Sequence, residues 1–182
     1  MADRPQEAQN RIEDHGIIGD MRSAALIADT GSIDFCCWPD FDSPSIFTAL
    51  LDTPDAGIFQ LAPDLPDARR LQIYLPDTNV LQTPLDFPRQ AVVEVTDLMP
   101  IGEDQDDLPR IVRRVQVRFG EATIRMRCRV RMDYSRADTT ARVDGEDICF
   151  EAEGQPGMRL SAATPLHLEQ HDAVAELHMH KG

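Results

Sequence analysis

Apolar and polar residues alternate along much of the chain with the period of a β-strand. The clearest case is 124–132, Ile-Arg-Met-Arg-Cys-Arg-Val-Arg-Met, in which arginine fills every position between the apolar residues. Because successive side chains of a strand point to opposite faces, this pattern predicts an amphipathic strand with one packed face and one charged face. Residues 111–119 also end in alternation, and the short Gly120-Glu121 link predicts that the two strands form a hairpin.

Further short strands are predicted between clusters of Pro, Gly and Asp. They lie at 58–62, 80–83, 91–98, 148–152, 158–162, 166–169 and 174–179. Residues 23–38 predict another hairpin, because Asp29-Thr30-Gly31-Ser32 is a turn tetrapeptide and 33–38 favours extended structure. Many short strands separated by turn signals are typical of an antiparallel sandwich rather than of βαβ units. The predicted fold class is therefore all-β, an antiparallel β-sandwich.

One short helix is predicted after the hairpin of residues 23–38. Ser43 can serve as its N-cap, with Pro44 as the first helical residue. The apolar residues that would then share one face are Ile46, Phe47, Leu50 and Leu51. Pro54 prevents the helix from continuing. The acidic stretch GEDQDD, residues 102–107, predicts a solvated loop between two strands.

Composition excludes several classes of protein. The length of 182 residues fits one domain, and the net charge of -14 argues against a nucleic-acid binder, which needs clustered Lys and Arg. No apolar run approaches the length of a membrane span, and the opening MADRPQEAQN has no apolar signal region. We therefore expect no nucleic-acid partner, no membrane partner and a cytoplasmic location.

Neither the cysteines nor the histidines spell out a metal site. Cys36, Cys37, Cys128 and Cys149 contain no CxxC spacing and predict reduced, mostly packed thiols. His178 and His180 share a strand face, and a hairpin turning at His171-Asp172 could bring His167 beside them. Exposed strand histidines near a chain end are common, however, and true sites need supporting hydrogen bonds. We predict no metal and no other cofactor.

Five strings of residues carry a resemblance to a known family. They are IEDHGIIGDMRSAALIADTGSIDFCCWPDFDSPSIFTALL (12–51), YLPDTNVLQT (74–83), VVEVTDLMP (92–100), RIVRRV (110–115) and RVRMDYSR (129–136). In this order they resemble the N-terminal part of glycoside hydrolase family 15 proteins, of the bacterial glucoamylase and trehalase-like kind.

The resemblance implies a supersandwich-like N-terminal β-sandwich, which in that family precedes a longer catalytic (α/α)6 barrel. Residues 1–182 are then one sandwich domain, truncated at its C-terminal end, and the barrel is absent. The expected function is that of a non-catalytic domain that packs against and supports the barrel of an inverting α-glucoside hydrolase of glucoamylase, glucodextranase or trehalase-like type. The chain alone is expected to be inactive, so no catalytic residue is assigned. The alternative is a free-standing sandwich that binds carbohydrate or a protein partner without catalysis.

The segment WPDFDSPS supplies the candidate site residues Trp38, Asp40, Phe41 and Asp42. An aromatic ring beside carboxylates suits a sugar face and its hydroxyl groups, so the segment is a candidate for substrate binding. We favour a role at the domain interface instead, because a lone tryptophan is more often an anchor and Asp42 can cap the predicted helix. The family usually has arginine where this chain has Asp40, which puts an inherited role for that position in doubt.

The opening motif matches the family at Gly16, Gly19, Asp20 and Arg22, whereas His15 replaces a usual aromatic and Met21 a usual cysteine. We expect a structural role for these residues, because glycines permit backbone turns closed to other residues. A side-chain contact between Asp20 and Arg22 is possible.

A row of arginines gives the sharpest electrostatic feature, at Arg125, Arg127, Arg129 and Arg131. We expect acidic side chains of neighbouring strands, such as Glu94 and Asp97, to balance them. The alternative is that they dock an acidic surface of the barrel. Loss of a strand after 173–179 and loss of the barrel would expose backbone and apolar surface, which predicts self-association of the chain.

Overall fold

The structure is a computed structural model that describes residues 10–101 and 109–182, so the acidic stretch 102–107 lies outside the described residues. Within the described ranges the chain forms fifteen strands and one helical turn. The strands are β1 (His15–Gly19), β2 (Ala24–Ala28), β3 (Ser32–Cys37), β4 (Ser45–Phe47), β5 (Ile58–Pro63), β6 (Arg69–Arg70), β7 (Ile73–Tyr74), β8 (Leu81–Phe87), β9 (Ala91–Leu98), β10 (Val112–Arg129), β11 (Thr140–Asp144), β12 (Asp147–Glu151), β13 (Met158–Leu160), β14 (His167–Glu169) and β15 (Asp172–His180). The helical turn is α1 (Met132–Ser135), and 3₁₀ turns lie at Ile12–Asp14 and Pro54–Ala56.

The strands confirm the predicted all-β sandwich. In the described part of the chain, twelve of them form one curled antiparallel sheet with the order β1-β2-β3-β5-β10-β9-β8-β6, to which β4, β7, β14 and β15 add. The remaining three form a small sheet, β11-β12-β13. The predicted hairpin within 23–38 is confirmed as β2 and β3, and the predicted strand 91–98 is β9.

The arginine-rich stretch and the segment before it form one long strand, so the predicted hairpin at Gly120-Glu121 is wrong. β10 pairs with β9 before this point and with β5 and β15 after it. Gly120 has a φ of +72°, and a Cβ added there would clash with the Gln90 carbonyl oxygen, so both the backbone and the space favour glycine. The register with β9 also shifts between Val117 and Phe119, as at a β-bulge, which bends a strand without reversing it.

The helix predicted to begin after Ser43 is also wrong, because residues 45–47 form β4. Ser45, Ile46 and Phe47 are all buried, and β4 pairs with β3. Leu51, which was expected on the apolar helix face, is 65% exposed. A strand covered on both faces buries consecutive side chains, whereas a helix at a surface buries only one stripe. The N-cap signal of Ser43-Pro44 is therefore overridden by packing.

The core lies between the two halves of the curled sheet and follows the period of two. β8 and β9 alternate strictly between buried and half-buried positions, so that Leu81, Leu85, Val93 and Val95 point inward. Ile148 and Phe150 bring the small sheet into the same core. The buried face of β9 also includes Asp97, which is a charged exception among apolar neighbours.

Candidate functional site

The loop that carries the candidate residues is a closed turn between β3 and β4. The backbone N–H of Trp38 donates to the carbonyl oxygen of Pro44 at 3.2 Å, and that of Ser43 donates to the carbonyl oxygen of Asp40 at 3.1 Å. The Asp40 N–H donates to the Ser43 hydroxyl at 3.2 Å. Trp38 packs half-buried against the core, whereas the Phe41 side chain is 61% exposed. The loop therefore anchors its tryptophan and presents its phenylalanine.

The carboxylate of Asp40 is already occupied by a guanidinium. Arg22 Nε donates to Asp40 Oδ1 at 3.0 Å, and the Phe41 N–H donates to the Arg22 carbonyl oxygen at 2.8 Å. Because both charged side chains are partly exposed, this ion pair contributes at most about 1 kcal/mol to folding. Asp42 is exposed and precedes a strand, so it caps no helix. The four candidate residues thus share one loop but have different surroundings: the core, Arg22 and solvent.

The opening motif forms a turn in which Asp20 binds backbone rather than the Arg22 side chain. Asp20 Oδ1 accepts hydrogen bonds from the N–H groups of Arg22 at 2.9 Å and Ser23 at 2.8 Å. Met21 between them has a φ of +71°. A Cβ on Gly19 would lie 2.9 Å from the Ser23 carbonyl oxygen, so the tight turn favours glycine there. The motif thereby fixes the direction in which Arg22 leaves the turn.

The segment 73–81 covers the outer edge of β1, a contact that the sequence does not indicate. The Tyr74 hydroxyl accepts from the Ile17 N–H at 2.9 Å and donates to the Ile17 carbonyl oxygen at 2.9 Å. The Asn79 side-chain amide donates to the Gly19 carbonyl oxygen. Two of the strings that carry the family resemblance, the opening motif and 74–83, are therefore one contiguous structure.

Exposed apolar side chains gather on these joined segments. We call them the apolar face, which consists of Ile17, Met21, Phe41, Tyr74 and Leu75. The Tyr74 hydroxyl binds the backbone of Ile17, and the Phe41 N–H binds the carbonyl oxygen of Arg22, the residue after Met21. The most exposed of them, Met21, shows 77% of its surface to solvent. Contiguous exposed apolar surface on a soluble domain marks an interaction site more often than isolated apolar residues do.

A strained turn lies beside the end of β3. Three consecutive residues without a glycine among them, Asp133, Tyr134 and Ser135, have φ values of +53°, +55° and +63°. Each such residue costs about 1 to 2 kcal/mol, so the surrounding contacts must hold the turn. The Arg131 N–H donates to the Ile46 carbonyl oxygen at 3.0 Å, and the Tyr134 hydroxyl hydrogen-bonds to the thiol of Cys37. Nothing in the pattern of RVRMDYSR indicates this conformation.

The four thiols are free, and three of them are buried. Burial raises the pKa of Cys36 to about 12 and raises the pKa of Cys128 as well. Burial also raises the pKa of Cys37, against the opposing effect of its hydrogen bond with Tyr134. A thiol whose pKa is raised carries little thiolate at neutral pH, so Cys36, Cys37 and Cys128 are poor nucleophiles.

The arginine row is balanced by acids other than those expected. Asp172, at the start of β15, accepts from Arg127 at 2.7 Å, Arg129 at 2.9 Å and Arg131 at 3.1 Å. Burial acts to raise the pKa of Asp172, but the hydrogen bonds from Arg127 and Arg129 outweigh it, so the pKa is lowered. Glu169 adds a second partner for Arg127, and Asp64 pairs with Arg125. The arginines are thus neutralised within the domain.

The two acids that were expected to balance that row bind other arginines. Glu94 pairs with Arg118, and Asp97 forms a buried ion pair with Arg113 at 2.8 Å. Arg113 also donates to the carbonyl oxygens of Phe59 and Gly31, at 2.5 and 2.7 Å. Because both partners of this buried pair are hydrogen-bonded, removing either one would leave a charge without compensation, which is strongly destabilising. The pair joins the strings VVEVTDLMP and RIVRRV across neighbouring strands.

The C-terminal histidines do not meet as the predicted hairpin suggested. In β14 and β15, His167 pairs with Val174, away from His178 and His180. His178 Nδ1 lies 2.9 Å from the Thr123 hydroxyl instead. Over the ranges that the structure describes, no group of three His, Cys, Asp or Glu side chains is placed to hold a metal ion. A cavity of about 440 Å³ beside His178 and Thr123 is not lined by any of the four candidate residues.

Several known trehalases are similar to this chain. The trehalase of Mycobacterium tuberculosis is 29% identical over 197 residues, which cover 94% of this chain and 28% of that protein. The trehalase of Thermoplasma volcanium is 38% identical over 98 residues, covering 53% of this chain and 16% of that protein. Trehalase 1 of Sulfolobus acidocaldarius is 41% identical over 101 residues, covering 56% of this chain and 16% of that protein. No solved structure matches the chain.

No helix within the described residues is long and apolar enough to cross a membrane. The chain spans less than a third of the length of the curated trehalases it matches. Residues 5–178 match the family described as trehalase-like, N-terminal, and the chain belongs to that family.

Proposed function

We propose that this chain is the non-catalytic N-terminal domain of an inverting α-glucoside hydrolase of glycoside hydrolase family 15, and that it packs against and supports a catalytic (α/α)6 barrel. The observation that carries the proposal is the match of residues 5–178 to a trehalase-like N-terminal family, in a chain that covers only 28% of the M. tuberculosis trehalase. Trehalose or another α-glucoside would be the substrate of the parent protein and not of this domain.

The buried carboxylates support a non-catalytic role. A glycosidase needs one carboxyl group as acid and another as base or nucleophile, both facing the substrate. The acidic residues buried in the described structure are Asp20, Asp34, Asp97 and Asp172. Each is bound to a structural partner: a backbone turn, His15, Arg113 and the arginine row, respectively. None of them is free to act on a glycosidic bond.

The apolar face and the adjoining 38–44 loop are the surface that we propose for the barrel. Phe41 belongs to both, and Trp38 anchors the loop by packing against the core. The arginine row is less suited to this contact, because Asp172, Glu169 and Asp64 already neutralise it. An interface core of apolar and aromatic side chains is also the usual composition of stable contacts.

Residues 1–182 form a single sandwich domain that needs a further strand, because 112–119 pair with β9 alone among the described residues.

The protein resides in the cytoplasm, a reducing compartment that suits four free thiols.

A glucose-release assay tests the absence of catalysis. We expect purified chain to release no glucose from trehalose, maltose or a longer α-glucan, with the M. tuberculosis trehalase as the active control. Glucose release by the chain, abolished by changing one of its own carboxylates, would overturn the proposal.

The alternative, a free-standing carbohydrate-binding sandwich, is separated by the fluorescence of Trp38, which is the only tryptophan of the chain. We expect no saturable change on titration with glucose, maltose or trehalose, because Trp38 is anchored at the core and Asp40 is paired with Arg22. A saturable change that Asp42→Ala removes, together with a stop codon directly after the Gly182 codon, would favour the alternative.

A further inference from the structure

A buried polar cluster fastens the N-terminal segment to the β2–β3 hairpin. Asn10 donates from its side-chain amide to Asp34 Oδ2 at 2.7 Å and lies 3.3 Å from the hydroxyls of Thr30 and Ser32. His15, at the start of β1, follows the 3₁₀ turn Ile12–Asp14 and joins these four side chains. We call these five side chains, Asn10, His15, Thr30, Ser32 and Asp34, the N-terminal clasp.

Both ring nitrogens of His15 face oxygen acceptors. Nδ1 lies 2.8 Å from the carbonyl oxygen of Arg11, and Nε2 lies 3.1 Å from Asp34 Oδ2. A carbonyl oxygen can only accept, so Nδ1 carries a proton. An imidazolium, which has two N–H groups, satisfies both acceptors, whereas a neutral ring with Nδ1 protonated has no proton for the Asp34 carboxylate.

When His15 is neutral, Asn10 is the one side-chain donor left to the Asp34 carboxylate among the described residues. The side chains of His15 and Asp34 are 1% and 4% exposed, so water has little access to them. The second carboxylate oxygen, Asp34 Oδ1, is buried and has no hydrogen-bond partner among the described residues. Leaving a buried charge without its partner costs far more than losing an exposed ion pair.

We propose that His15 is a pH-dependent latch, which in its protonated form holds residues 10–14 on the β2–β3 hairpin and releases them when it loses its proton. The hydrogen bonds that close the latch run from the segment to Asp34, Thr30 and Ser32, with a backbone bond from the Asp29 N–H to the Asp14 carbonyl oxygen at 2.9 Å. Because β1 begins at His15 and carries Ile17, the latch also fixes the start of the strand that supplies the apolar face.

The charges around the ring fix the direction of the pH dependence. Among the described residues, Asp34 is the charged group that faces His15, whereas Arg11 pairs with Glu13 on the surface and Asp29 pairs with Arg70. Burial acts to lower the pKa of His15, but hydrogen bonds to Asp34 and to the Arg11 carbonyl outweigh it, so the pKa is raised. The stabilisation is therefore complete below the unfolded pKa of about 6.5 and is lost as pH rises through the higher folded pKa.

Hydrogen exchange and histidine NMR test the latch on the full chain. From about pH 5 to about pH 9, we expect the protection of amides in 10–19, corrected for intrinsic exchange rates, to fall by up to about tenfold per pH unit between the unfolded pKa of about 6.5 and the higher folded pKa of His15, and to level off above the folded pKa. The His15 ring should show two N–H groups at the acid end of this range. His15→Gln should remove the pH dependence, and Asn10→Ala should lower protection without moving the midpoint.

His178→Gln is the matched control, because it removes an exposed strand histidine whose side-chain partners in the described part of the chain are the Thr123 hydroxyl and Glu176. We expect it to leave the exchange profile of 10–19 unchanged. The latch is refuted if His15→Gln keeps the wild-type pH profile. If that variant does not fold, a wild-type His15 ring that stays neutral while the protein is folded at acid pH would refute the latch as well.

Discussion

Two edges of the large sheet, at β1 and at residues 112–119 of β10, differ in what binds their outward-facing backbone groups. At β1, the N–H and carbonyl of Ile17 are both bound by the Tyr74 hydroxyl, and the Asn79 amide binds the carbonyl of Gly19. At β10, residues 112–119 pair with β9 on one side, and the described residues place no strand on the other. The first edge is closed by side chains, whereas the second has no strand partner among the described residues, and we call it the open edge.

This difference separates two kinds of contact. A closed edge offers no row of free backbone groups, so a partner at β1 must bind through side chains, which suits the apolar face. An open edge offers backbone groups and suits the addition of a strand. The end of β15 already lies beside it, because the Lys181 N–H donates to the Gly120 carbonyl oxygen at 3.0 Å. A strand that continued in that direction would follow 112–119.

The largest effect is expected at the bulge that divides β10 into its two halves. Gly120→Ala places a Cβ against the Gln90 carbonyl oxygen at a φ of +72°. Backbone strain and the clash together should lower the free energy of unfolding by about 3 kcal/mol or more, measured by urea denaturation.

Gly145→Ala is the control for Gly120→Ala. Gly145 has a similar φ, +67°, but in the described structure no neighbouring atom lies within 4 Å of its added Cβ. It should cost about 1 kcal/mol, the contribution of the left-handed backbone alone. If the two variants lost the same amount of unfolding free energy, β10 could shift at the bulge to make room for the added Cβ. Residue 120 would then not require glycine for reasons of space.

The bulge also shows where sequence patterns were sufficient and where they were not. Alternation predicted the sandwich and placed β9 at its observed bounds, because a buried face imposes the period of two on any strand. Gly120-Glu121 gave a turn signal, yet a glycine with positive φ serves a bulge as well as a hairpin. Only the pairing of β10 with β5, β9 and β15 decides between them.

The candidate site was predicted less completely for a related reason. The loop of Trp38 and Phe41 was found from residue types, but its partners Arg22 and Cys37–Tyr134 depend on how distant segments meet. Tyr74 and Ile17 are 57 residues apart, and neither residue type indicates the contact. The arginine row was recognised, but its acid, Asp172, comes from a strand whose register no local pattern fixes. Composition and local spacing do not predict which segments that are distant in the chain contact each other.

A change in self-association is the next largest effect, and it concerns the open edge. We expect the chain to self-associate, because unpaired strand edges template contacts with other chains. Val112→Lys with Phe119→Lys places charges along this edge and should weaken association by about tenfold, or ~1.4 kcal/mol, in sedimentation or light scattering. Leu51→Lys, at a residue that is also exposed but lies in a loop, should change association little.

Extending the chain past Gly182 gives the complementary test where the reading frame of its gene continues. The extended version should be more monomeric and should melt at a higher temperature, because the added strand would pair with 112–119. A monodisperse monomer at high protein concentration, with no gain in melting temperature on extension, would show that the edge is not a binding surface and that the domain is complete.

The smallest effect is expected at the closed edge, where one hydroxyl serves two backbone groups. Tyr74→Phe keeps the ring and removes both hydrogen bonds to Ile17. Water can replace part of the loss because Tyr74 is 45% exposed, so we expect a decrease of about 1 kcal/mol in the free energy of unfolding and faster exchange of the Ile17 amide. Tyr134→Phe, which removes only a contact with a thiol, should cost less. If Tyr74→Phe changed neither stability nor exchange, the β1 edge would be as open as that of β10, and a strand could add at either side.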